Sequence, residues 1–281
     1  MNRNRELAMP HMIPRGARRV NSTRHAEACA TSPASAAKWN LILIAALLSA
    51  CSRDATPVKA IVGAKALSAG SEPVANAIVI VRAGRIVQLG AESQVSFPPG
   101  SHVFEARGKF LIAAPVEIPA YNVPEIGTRE EARVSIAGGR RVMFGMFQDV
   151  EQLDEKFVQK LDNEETIFIP RLHRLEKRPD QLARASRHAK TLADGGVMIA
   201  AGAGPNSARE IELLTKAGLT PGQIFEAVTK NAAYAAGRSN RLGAVKENFQ
   251  ADLWLLDENP LVNPAALARP RKIMREGEWI D

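Results

Sequence analysis

Beyond residue 57 the chain carries three histidines, His102, His173 and His188, the side chains best suited to proton transfer or metal binding at neutral pH. No two of them stand in the His-x-His or His-x-x-x-His spacing that brings two imidazoles to one ion. His173 lies in PRLHRLEKR directly after the apolar run TIFIP, where it could face the carboxyl end of a sheet. Its basic neighbours favour the other reading, a solvated loop histidine. His188, with Arg184 and Arg187 nearby, reads as a surface residue of a helix, and His102 opens a strand remote from the helical half. The carboxylates have structural explanations. Asp149 stands where a helix N-cap is wanted, Glu210 completes a Ser207-x-x-Glu210 capping box, Asp252 suits the turn after Ala251, and Asp257 flanks the same strand. No serine occupies a Gly-x-Ser-x-Gly elbow, which removes the usual nucleophile arrangement. The glycines of AAGAGPNS resemble an anion-binding loop before a helix, without the lysine of a phosphate loop.

The 281 residues are 46% hydrophobic and 24% charged, an ordinary globular composition that excludes disorder, collagen and a disulfide framework. The net charge of +7 is concentrated at the start, where residues 1–38 hold seven Lys or Arg against two Glu. From Cys51 onward the balance is 30 basic to 28 acidic. A chain so near neutrality, with no basic helix and no aromatics among basic residues, has no footprint for nucleic acid.

Residues 41–50 read LILIAALLSA, an apolar run far short of the roughly 20 residues of a spanning helix. A basic region precedes it and Cys51 follows it, the order of a secretory signal. Leu48-Ser49-Ala50-Cys51 resembles the lipobox of bacterial lipoproteins, which implies cleavage before Cys51 and a diacylglyceryl group on its thiol. At about 0.8 kcal/mol per buried methylene, two or three acyl chains make a permanent membrane anchor. By the same resemblance, Ser52 favours the outer membrane, with the protein facing the periplasm. Pro10, Pro14 and Pro33 exclude a long helix before the apolar run, and a start codon further along would account for the length of that region. Cys29 would be lost with it, leaving no intrachain disulfide.

Two kinds of element must position any site. From Val58 to Ala106 short β-rich runs, VKAIVGAKAL, AIVIV, RIVQLG and HVFEA, are parted by turn residues such as Ala83-Gly84 and predict a small antiparallel sheet or sandwich. ADLWLLD (251–257) and RKIMREGEWI (271–280) predict a further pair of strands, so that both chain ends build one sheet. Between them the period changes to 3.6. Thr128-x-x-Glu131 opens a helix closed by Gly138 or Gly139, Ser207-x-x-Glu210 opens a second, and Thr220-Pro221-x-Gln223 opens a third that ends at Gly237. Val150, Leu153, Phe157, Val158 and Leu161 share one helical face, and RVMFGMF, TIFIP and VMIAAGAG read as buried strands between helices. This alternation predicts βα units on a parallel sheet.

The layout and its residues together resemble the metal-dependent amidohydrolase family, in its imidazolonepropionase-like and prolidase-like branch. AIVIVRAGRIVQLG is similar to the opening sandwich strands, GKFLIAAPVEIPAY to the link into the first barrel strand, and FGMFQDVEQLDEKFVQKL to a late barrel unit. The most specific stretch runs from GGVMIAAGAG through REIELLTKAGLTPGQIFEAVTKNAA to RLGAVKENFQADLWLLDENPL. The resemblance implies hydrolysis of C–N bonds other than peptide bonds, by water activated on zinc or another divalent ion held by histidines and an aspartate. The ligand types are replaced here. Pro119 and Tyr121 stand at the paired histidines of the first strand, Phe144 at the late-strand histidine, Gly204 at the catalytic aspartate, and Ala208 at a histidine that often precedes the helix glutamate. Of these only Tyr121 could ligate, and weakly.

The expected fold is therefore α/β: a partial TIM-like (β/α) barrel with a small β-sandwich built from both chain ends. Residues 1–50 form a cleaved signal, 51–57 an anchor linker, 58–114 and 238–281 the composite sandwich, and 115–237 a truncated barrel. Those 123 residues leave room for about half of a barrel that takes about 250. No catalytic residue, metal or cofactor is assigned, and a small-molecule substrate is left open. The expected partners are the membrane, through lipid on Cys51, and a second copy of the chain covering open sheet edges. The protein is read as a non-catalytic envelope lipoprotein. The alternatives are a hydrolase with a displaced site, a binding or scaffolding protein, and a gene remnant.

Overall fold

The computed structural model describes residues 57–121 and 123–280; Cys51 and the signal reading lie outside them. β1 (Lys59–Leu67), β2 (Val74–Arg82) and β3 (Arg85–Ala91) form an antiparallel meander. Ala83 and Gly84, both at positive φ (48° and 74°), make the tight turn whose twist suits a two-residue hairpin. β1 is the hub of an eight-stranded sheet. Its first half pairs with β4 (His102–Glu105) and its second half with β5 (Phe110–Ala113), and the switch falls at Gly63, where φ is 83° and the register with β2 shifts. Both of these pairings are parallel, which corrects the antiparallel expectation. A bulge at Gly63 lets one strand edge serve two partners.

The chain ends meet on β5, which pairs with β10 (Leu253–Leu256), and β10 carries the hairpin of β11 (Lys272–Arg275) and β12 (Glu278–Ile280). The expected C-terminal pair of strands is thus three. Glu276 and Gly277, at φ 48° and 80°, turn RKIMREGEWI back on itself. Asp252 holds that turn by accepting the Glu276 N–H at 2.6 Å. Ile61, Val79, Ile86, Leu111, Leu253 and Met274 share one apolar core between the layers, and Phe104 of β4 packs on Trp279 of β12 with ring centroids 4.6 Å apart.

The second sheet is parallel throughout, in the order β6 (Glu125–Ile126), β7 (Val142–Gly145), β8 (Ile167–Ile169) and β9 (Met198–Ile199). Between these strands run α1 (Arg129–Ala137), α2 (Glu155–Asn163) and α3 (Pro179–Asp194). After β9 come α4 (Ser207–Lys216), α5 (Pro221–Val228) and α6 (Lys230–Ala235). The period-2 alternation of the strands sorts their side chains. Met143, Phe168 and Ile199 join the helix-side core with Phe147, Phe157, Leu192 and Phe225, while Phe144, Ile167, Ile169 and Ala200 line the inner face. Four strands cannot close a barrel, and the sheet is open.

The first barrel strand implied by the resemblance is not a strand here. Pro115 and Pro119 lack the N–H groups that a ladder needs, and residues 114–120 cross the inner face without regular pairing. Val116 still docks, donating to the Val228 carbonyl (3.0 Å) and accepting from Ala203 N–H (2.9 Å). Ile118 lies close over Gly202, where an added Cβ would meet its backbone nitrogen at 3.2 Å.

The capping boxes at Thr128 and Thr220 form as predicted, each side chain accepting from the third helical N–H at 3.2 Å. The helix opened by Thr220 does not run unbroken to Gly237. Thr229 leaves helical geometry, its hydroxyl donating to the Phe225 carbonyl at 2.6 Å, and separates α5 from α6. Asp149 does not cap α2, a task that falls to Asp154, which accepts from Phe157 N–H at 2.9 Å. Asp149 instead accepts from the backbone N–H (3.2 Å) and Nε (3.3 Å) of Arg129, at the start of α1.

Candidate functional site

The carboxyl ends of β7, β8 and β9 border an open-mouthed cavity of about 170 Å³. Open α/β sheets place their ligands at this end, beyond the last strand residues. Its lining is part apolar, with Ile118, Phe144 and Ile169, and part polar, with Arg171, His173, Glu210 and the loop that leads through Asn206 into α4.

The polar part begins where β8 stops. After Pro170, Arg171 takes the left-handed conformation (φ 54°) and starts a 3₁₀ helix, Leu172–Leu175. That turn lays the guanidinium over the Phe144 ring, its carbon 3.3 Å from the centroid. Burial, with the charge of Arg174 nearby, lowers the Arg171 pKa from the usual arginine value. Among the described residues its side chain makes no hydrogen bond or contact ion pair; Glu125 and Glu210 act on its charge only from a distance.

Glu210 supplies the other fixed point. It is 5% exposed and reaches from the first turns of α4 to the start of the 3₁₀ helix. There it accepts from the N–H groups of Leu172 (2.8 Å) and His173 (3.0 Å) and lies 2.7 Å from His173 Nδ1. A carboxylate can only accept, so Nδ1 carries the proton and Nε2 is the nitrogen left for the cavity. Two expectations are corrected by this geometry. His173 is not a solvated loop residue but a lining residue tied to a buried carboxylate. Glu210 does not close a capping box: three donors at the 3₁₀ start outbid the single N–H of an N-cap, the Ser207 hydroxyl donates to Gly204 O at 2.8 Å, and Asn206 heads α4 without a side-chain cap.

His188 is corrected too. It is 1% exposed, its Nε2 lies 3.2 Å from the Glu151 carbonyl, its Nδ1 is buried without a partner among the described residues, and its ring meets Phe147 edge-on at 6.1 Å. Burial, with the charges of Arg187 and Arg184 adding to it, lowers its pKa. His102 stays in the composite sheet, on β4.

Of the positions singled out by resemblance, Phe144 and Gly204 reach the cavity, Ala208 lies in the first turn of α4, and Pro119 lies in the irregular segment after Val116. Tyr121 is 76% exposed and does not line the cavity. A divalent ion needs several deprotonated N or O donors converging. Among the described residues no three His, Cys, Asp or Glu side chains converge in this way. In the cavity only His173 and Glu210 have such atoms, the carboxylate is engaged by three N–H donors, and Arg171 adds a positive charge beside them. The lining does not fit a metal ion. Sequence reasoning missed Arg171 and the His173–Glu210 pair because their meeting is tertiary: 37 positions separate the pair, and no local motif spans them.

A partial (β/α) barrel with a cavity at its strand ends and a sheet drawn from both ends of the described chain defines a TIM-barrel-like class of fold. Residues 170–280 match the model of the amidohydrolase family. Among solved structures, molinate hydrolase superposes with a TM-score of 0.67 at 11% identity, over 80% of this chain and 95% of that one. Ochratoxinase from A. niger gives 0.61 at 12% identity, over 80% and 96%. A Xaa-Pro dipeptidase with bound methionine in its active site gives 0.58 at 10%, over 80% and 100%. At such identities these structures speak for the fold alone. No curated protein matches the chain in sequence. Over residues 170–280 the chain is thus similar in sequence to the amidohydrolase family, and the solved structures share the fold of the described residues.

Proposed function

We propose that this amidohydrolase-family chain has lost the family's metal site and works as a non-catalytic envelope lipoprotein, binding a ligand in the cavity where its relatives would hydrolyse one. The observation that carries the reading is the Arg171 guanidinium stacked on Phe144, a fixed cation in place of a cation-binding set. The test is metal content and stability. Purified full-length chain should hold no stoichiometric Zn, Mn or Fe, and added metal should not raise its Tm, because a ligand that binds the native state must stabilise it. About one tightly held ion per chain would overturn the reading. The envelope half of the proposal rests on Leu48-Ser49-Ala50-Cys51. In a Gram-negative host the chain should label with palmitate and fractionate with membranes, and Cys51→Ser should abolish both; an unlabelled wild-type chain overturns it.

The His173–Glu210 pair favours one second reading. An imidazole oriented by a buried carboxylate is the arrangement of a general base, and it would take a proton from water in a metal-free hydrolysis. Turnover of N-acyl amino acids that survives chelator and is lost in His173→Gln would establish this reading. A wild-type chain inert toward them would leave the binding reading.

A further inference from the structure

We propose that the cavity at the ends of β7, β8 and β9 binds a small organic monocarboxylate whose apolar body is about the size of a benzene ring. The proposal rests on the reading of this cavity as a metal-free binding site, and it names the ligand class.

A guanidinium presents five N–H donors in a rigid fork that matches a carboxylate. That of Arg171 is held flat on Phe144 and faces the cavity with no ion pair among the described residues. The acidic neighbours act on it only at a distance, since their close contacts are made elsewhere. Glu210 serves three donors at the start of the 3₁₀ helix, and Glu125 pairs with Arg174 at 3.8 Å. The His173 ring, with Nδ1 turned to Glu210, borders the same space. Asn206 and Ser207, at the uncapped and positive end of the ten-residue α4, line the same space.

The Arg171 guanidinium is therefore a cation whose side-chain N–H groups make no hydrogen bond or contact ion pair among the described residues, and a carboxylate is the group that such a fork takes up. A second carboxylate on the ligand would meet the buried charge of Glu210. The apolar lining sets the rest of the ligand: Ile118 and Ile169 offer apolar surface beside Phe144, and about 170 Å³ is close to the roughly 150 Å³ of an apolar cavity that takes up benzene. Inorganic anions lack the body to cover that lining.

Benzoate, benzamide and inorganic phosphate are suitable probes, titrated calorimetrically into the full chain in detergent with and without EDTA. Benzoate should bind at least about tenfold more tightly than the isosteric neutral benzamide, as a charge-assisted pair requires. Arg171→Gln should abolish that preference and leave benzamide binding and the Tm little changed. Asn206→Asp, at an exposed position where aspartate is itself a good helix cap, should weaken benzoate without harming the fold. Equal binding of benzoate and benzamide, an unaffected Arg171→Gln variant, or phosphate binding as well as benzoate each overturns the carboxylate proposal. The metal-free reading fails separately: benzoate binding that disappears with EDTA would overturn that reading. A cooperative melt with no metal and no benzoate binding would overturn only the choice of ligand.

Discussion

Glu210 shows how one carboxylate can organise a site without touching anything outside the protein. Its partners are two backbone N–H groups and one imidazole, all at the start of the 3₁₀ helix. Glu210→Ala leaves these donors without their acceptor, and leaving a buried donor unmet costs about 1–3 kcal/mol. Urea unfolding should show a loss of at least that size, while Glu210→Gln, which can still accept, should lose less. A loss within error for Glu210→Ala would mean that the 3₁₀ start is solvated. His188 gives a pH signature. Burial lowers its pKa in the folded chain below that in the unfolded chain, so on acidification the unfolded state takes up the proton first. Its contribution is fully present above the unfolded value of about 6.5 and falls as pH drops below it. The urea midpoint should therefore decline from pH 7 toward pH 5, and His188→Leu should flatten that decline. A variant with the same slope as wild type would assign the decline to other groups.

Among the elements, the sequence pattern Ser/Thr-x-x-Glu/Gln occurs at three helix starts and does two different things. Thr128 and Thr220 close their boxes because the contest there is local, one hydroxyl and one side chain against the N–H groups three residues away. At Ser207 the same spelling loses to donors brought in from the 3₁₀ helix after β8, and no reading confined to a few residues could register them. The strands and most helices were legible for the same reason: alternation of 2 and 3.6 is a property of neighbours in sequence. Arg171 was not, since its orientation depends on a left-handed backbone and on a ring from another strand. The helix-side core makes a further prediction at this scale. Phe147, fully buried, meets Phe157 and Phe168 edge-on, both with centroids 5.4 Å away. Phe147→Ala should cost about 3–5 kcal/mol in chemical unfolding, with no change in the cavity at the strand ends. A cost under about 1 kcal/mol would show that the helices collapse onto the void.

For the molecule as a whole, the open parallel sheet is the feature that most needs company. β6 is a two-residue edge strand, and on the inner face Val142 and Met198 remain only partly buried, as does Ile118 of the segment that follows Val116. We propose that a second copy of the chain covers this side, since an uncovered parallel edge and apolar face are a liability in water. Light scattering of protein lacking residues 1–51 should give a dimer or larger; a monomer at high concentration with a sharp melt would refute it.

The dual pairing of β1 has a consequence in time. β5 sits between β1, which is made early, and β10, which is made near the end, with Leu111 and Leu255 brought into register across most of the described chain. Such distant pairings form late, because the intervening loop must close before any contact rewards it. While synthesis is under way, β5 offers its free edge to whatever is nearby. A ribosome that stops before Leu253 releases a product that keeps that edge for good, ready to pair with its own kind. The intact chain cannot complete its earliest sheet until its last strands are free, and their arrival marks the end of its sticky phase.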